Sequence, residues 1–185
     1  MSALGRIVMV MGASLLLSGC LTLDAKLTAT GAATIKMSYP LEEAALPKAK
    51  QDLAGPHVTV KSAEWAKGRG TFDLAVDDVQ KISTSKAFSH TKVALKDGKT
   101  PETKELVVTL RQDNPTKLPP DVIEKLGKEM HLSIELPGEI VSSNATSTKG
   151  AVATWTISTE DFAAKPETVL NVVYKTPTTE PEKKT

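Results

Sequence analysis

Apolar and polar residues alternate with period two from residue 21 onward, and no other feature constrains the fold as tightly. Leu21, Leu23, Ala25, Leu27 and Ala29 fall on one side, with Thr22, Asp24, Lys26 and Thr28 opposite. After a break at Gly31, Ala33, Ile35, Met37 and Tyr39 continue at the same spacing. Successive side chains of a strand point to opposite faces, so this stretch reads as a β-hairpin with one buried face. The cleanest strand comes later, with Met130, Leu132, Ile134 and Leu136 inward and His131, Ser133 and Glu135 outward. The single cysteine, Cys20, leaves no intrachain disulfide, so core packing alone must hold the fold.

The remaining elements follow from the same periodicities. Residues 46–54 are expected to form a helix, because Pro47 is tolerated only in a first turn and Gly55-Pro56 ends the run. The apolar phase slips by one between Val58/Val60 and Ala63/Trp65, which a bulge near Ser62 explains. Gly68-Arg69-Gly70 reads as a turn before the Phe72, Leu74, Val76 strand, and an aspartate at 77–78 as the cap of a short helical turn. Val93 and Leu95 pair across Asp97-Gly98 with Leu106, Val108 and Leu110. Leu118-Pro119-Pro120 opens a second helix whose buried stripe is Val122, Ile123 and Leu126, with Gly127 as its stop. Residues 142–150 read as a polar loop, followed by a strand through Ala151, Ala153, Trp155 and Ile157 and a last strand over 168–175. The sum is an α+β domain: an antiparallel sheet of about eight strands built from hairpins, with two short helices packed on one face.

Upstream of the alternation, residues 1–19 have the parts of an export signal. Arg6 is the basic region, residues 7–17 the apolar region, and Ser18-Gly19 the small residues before a cleavage point. The apolar run is shorter than the about 20 residues a helix needs to cross hydrocarbon. Leu17-Ser18-Gly19-Cys20 resembles the lipobox of bacterial lipoproteins, which implies that Cys20 is lipidated, becomes the mature N-terminus and anchors the protein to a membrane. In enteric lipoproteins an aspartate after the cysteine signals inner-membrane retention. Leu21 therefore favours the outer membrane, with the protein facing the periplasm. The expected organisation is a signal at 1–19, one domain at 20–175 and a disordered polar tail at 176–185, since TPTTEPEKKT lacks apolar residues.

Removing residues 1–19 takes away Arg6 and no acid, which brings the formal net charge from +1 to zero. Such balance gives no basic footprint for nucleic acid. His57, His90 and His131 have no metal-ligand spacing, so no metal or other cofactor is expected. Asp77-Asp78 lacks the acidic loop that calcium requires, and Gly68-Arg69-Gly70 suits a tight turn better than an anion nest. Asn144-Ala145-Thr146 matches a glycosylation sequon that carries little weight in a bacterial protein. No nucleophile motif or phosphate loop occurs, and an enzyme is not expected.

The stretch from His131-Leu-Ser-Ile-Glu-Leu-Pro137-Gly138 through Asn144 and Gly150 to Thr154-Trp155-Thr156-Ile157 resembles the LppM-like domain of mycobacterial and related bacterial lipoproteins. That resemblance implies an α+β domain likened to lipid-binding folds and an envelope role with a lipid or glycolipid ligand. Trp65, Met130, Leu132, Ile134 and Trp155 are the expected lining of an apolar groove, each with ordinary core packing as its plainer role. The alternatives are an envelope interaction module that docks on another protein without a small ligand and, behind it, an unrecognised hydrolase.

Overall fold

A computed structural model describes residues 21–176; the expected export signal at 1–19, Cys20 and the expected polar tail beyond Thr176 lie outside the described residues. Among the described residues eleven strands form two sheets. The first five are β1 (Leu21–Leu27), β2 (Ala33–Pro40), β3 (Val58–Ala66), β4 (Arg69–Val76) and β5 (Thr91–Asp97). Next come β6 (Thr103–Arg111), β7 (Glu129–Glu135), β8 (Ile140–Ser143), β9 (Ser147–Lys149), β10 (Val152–Ser158) and β11 (Glu167–Lys175). The helices are α1 (Leu46–Leu53), α2 (Pro120–Leu126) and α3 (Thr159–Ala164). The larger sheet has the order β3-β4-β2-β1-β7-β10-β9, and the smaller β5-β6-β11-β8. The expected antiparallel sheet of about eight strands is roughly consistent with this and less precise, since the strands are eleven and divide between two antiparallel-rich sheets.

The hairpins expected from alternation form, and the N-terminal one docks in an unexpected direction. β1 pairs antiparallel with β2 and parallel with β7, so that Leu23 lies opposite both Met37 and Leu132. Alternation reveals a strand's buried face and carries no information about its partner's direction, which is why the parallel pair was not expected. Leu27, Ile35, Phe72, Leu74, Leu132, Ile134 and Trp155 from the larger sheet join Leu106, Leu170, Val172 and Tyr174 from the smaller in one core.

Two expectations are corrected. The β3–β4 turn is Lys67-Gly68, both at positive φ (51° and 77°), while Arg69 and Gly70 already belong to β4. A two-residue turn with both residues left-handed matches the twist of the flanking strands. Residues 142–150 are not a loop throughout, since β8 and β9 occupy much of the stretch. The expectation of two helices on one face holds only coarsely: α1 packs on β3, α3 on β10 and α2 on α3. α3 was missed, although Ser158-Thr-Glu-Asp161 carries a start signal: the Ser158 hydroxyl accepts from the Asp161 N–H at 3.3 Å. The bulge is confirmed between Val60 and Ser62, and Asp78 caps its turn by accepting from the Gln80 N–H.

An apolar cleft between the two sheets

The inward faces of the two sheets do not close completely on each other. A cavity of about 100 Å³ remains between them. From the larger sheet it is lined by Leu23, Ala25, Leu27, Ala33, Ile35, Leu132 and Ile134, and from the smaller by Thr91, Val93, Leu106, Val108, Leu110 and Leu170. Val79, Ile82 and Phe88, on the turns between β4 and β5, complete the wall. Thr91 is the one lining residue with a polar side chain. Apart from the Thr91 hydroxyl such a surface has no polar side chain to offer, and it favours hydrocarbon over water.

The cleft has a closed end and an open one. Along β1, Leu23 and Ala25 are half-buried and Leu27 is buried; along β6, Leu106 is buried while Val108 and Leu110 are half-buried. Thr91 lies opposite Leu110 at the open end, and Leu95 opposite Leu106 toward the closed one. The open end is therefore the one where β1 begins, one residue after Cys20.

Of the residues expected to line a groove, Leu132 and Ile134 do so. Met130 is buried core outside the cavity lining. Trp155 is also buried, with its indole N–H donating to Asn144 Oδ1 at 2.9 Å. Trp65 stands at the outer end of β3, 36% exposed, donating to the Leu41 carbonyl at 2.8 Å. Cys20 is outside the described residues. Sequence reasoning missed the smaller sheet's contribution, because Val93, Leu106, Val108 and Leu110 carry the ordinary pattern of a hairpin.

Asn144, which the sequence offers as a sequon and as part of the LppM-like stretch, has a further role in the structure. Its Oδ1 accepts from Trp155 and from the Asn171 N–H at 2.8 Å, and its Nδ2 donates to the Val169 carbonyl at 2.8 Å. One side chain thus ties β10 of the larger sheet to β11 of the smaller. The three histidines sit beside separate acids: His57 by Asp77 (2.8 Å), His90 by Asp113 (3.3 Å) and His131 by Glu129 (3.7 Å). Among the described residues no three metal-ligating side chains converge. Burial raises the Tyr39 and Tyr174 phenols above their ordinary value, and neither lines the cleft.

No family model and no curated protein matches the chain. A solved structure is similar to it: the NMR structure of the folded domain of Mycobacterium tuberculosis LppM, at a TM-score of 0.52 and 12% identity. The match covers 89% of this chain and 95% of that one. At that identity the likeness concerns the fold, and the protein has an LppM-like fold.

Proposed function

We propose that this protein is a non-enzymatic lipoprotein of the bacterial cell envelope, anchored through Cys20 and facing the periplasm, that takes a lipid, glycolipid or other hydrophobic ligand between its sheets. The apolar cleft opening at the anchor end carries the reading: a ligand leaving the bilayer meets the mouth without crossing water. The LppM-like fold and the lipobox support the envelope assignment, and Leu21 favours the outer membrane. At about 100 Å³ the cleft is smaller than the roughly 300–1,000 Å³ of ordinary ligand pockets. A full acyl chain therefore requires the sheets to part at the open end.

The small volume is also the observation that favours the second reading, an envelope module that docks on a protein and holds no small ligand. Native mass spectrometry of the mature domain, made without Cys20, separates the two. The first reading expects a lipid mass adduct, either co-purified or taken up from envelope extract. Absence of both overturns it and leaves the interaction module.

A further inference from the structure

The strand register gathers a set of apolar residues around the point where the chain leaves Cys20. β1 starts at Leu21, and its neighbour β7 runs parallel, so the link from α2 into β7 arrives at the same end. β2 is antiparallel and ends there, and the Lys67-Gly68 turn lies beyond it, with the Leu41 N–H donating to the Gly68 carbonyl. This end exposes Trp65 (36%) and Leu126 (47%), together with Pro119 and Pro120. α2 has no buried residue: Val122 and Ile123 are half-buried and Leu126 faces out, against the expected buried stripe.

Strands in a sheet are spaced about 4.8 Å apart. Trp65, three strands from β1, therefore lies about 14 Å to one side of the anchor point, and β7, into which the C-terminal end of α2 leads through Gly127 and Lys128, lies one strand spacing to the other. We propose that this end is a membrane-docking face, in which Trp65 and the apolar side of α2 enter the headgroup boundary of the bilayer to which Cys20 tethers the domain. The proposal rests on the lipoprotein reading. The occupant follows from the chain itself, since no residue separates the acylated cysteine from the first strand. An indole with an apolar body and a hydrogen-bonded N–H suits that boundary. Charges of both signs surround the face, Lys67, Lys125 and Lys128 with Asp121 and Glu124, so apolar contact and not headgroup charge holds it. Tethering supplies a high local concentration, so a contact too weak to recruit a free domain suffices.

The test uses the full chain purified from membranes and reconstituted into vesicles of phosphatidylethanolamine and phosphatidylglycerol. Leu126→Cys carries a spin label at the proposed face, and Val141→Cys, 54% exposed on β8 near the C-terminal end of β11, carries the control. Acylated Cys20 has no free thiol, so each variant takes one label. The expected result is an acylated intact mass and, at position 126, a rise of oxygen over nickel-chelate collisions that persists in high salt, with no rise at 141. Bromine on the acyl chains should also quench Trp65 emission, an effect lost in Trp65→Phe. An acylated mass with label 126 as water-exposed as label 141 overturns the docking face alone. A label shielded in native membranes and exposed on protein-free vesicles overturns the bilayer in favour of a protein partner. An unacylated mass overturns the lipoprotein reading, and the docking face with it.

Discussion

At the residue scale, two positions outside the cleft hold its geometry. Asn144 joins the sheets through three hydrogen bonds. Asn144→Ala leaves the indole N–H of buried Trp155 without its acceptor, which should cost about 2–3 kcal/mol in urea unfolding. Asn144→Asp should recover part of that, because it keeps the acceptor and sets a carboxylate against the Val169 carbonyl. Gly138 follows Pro137 where β7 gives way to β8, and a Cβ there would overlap the Lys175 carbonyl oxygen. Gly138→Ala should destabilise by about 2 kcal/mol or more, read as a lower midpoint at unchanged slope, since β11 must shift away from the added carbon. The Pro-Gly break was legible as punctuation. The reason for its glycine was not, because Lys175, whose carbonyl it meets, lies more than thirty residues downstream.

At the element scale, α1 shows how a helix chosen by local signals is held by distant ones. Its proline and stop signal locate it, whereas buried Ser85 closes its C-terminus by donating to the Asp52 and Leu53 carbonyls. Asp52 joins Lys48 (2.9 Å) within the helix and Lys86 (3.1 Å) on the turn after Ser85. Hydrogen bonds from those two ammonium groups hold the Asp52 carboxyl below its ordinary value. A depressed carboxyl stabilises the fold above its unfolded pKa, about 3.9, and loses that contribution as pH falls through the folded value. Wild type and Asp52→Asn should therefore differ by a small, salt-sensitive margin at neutral pH and converge in acid, as measured by denaturant midpoints against pH. Helix α2 was located correctly and given the wrong environment. Val122, Ile123 and Leu126 have the spacing of a buried stripe, and spacing does not distinguish a protein core from a bilayer.

At the scale of the whole molecule, the cleft leaves space between the sheets that packing does not fill. Ala25 lines the cavity opposite Ile35 and Ile134. Ala25→Leu should fill much of the space, raise stability by about 1 kcal/mol and abolish ligand uptake, checked by unfolding and native mass spectrometry on one preparation. A rise in stability with uptake unchanged would place the ligand elsewhere. A flexible insertion of about 15 residues after Cys20 dilutes the domain over a wider volume and should weaken membrane docking without altering the fold.

By itself the sequence determined the α+β class, the positions of most strands, α1, the bulge near Ser62 and the inward face of β7, because each follows from residues within a few positions of one another. It also marked Leu132 and Ile134 as inward. Only the tertiary structure decided that the strands divide into two sheets, that β1 runs parallel to β7, and that the smaller sheet supplies half a cleft. Period-two alternation states that a face is buried and leaves open what buries it, and strand direction and partner are set by contacts between distant residues.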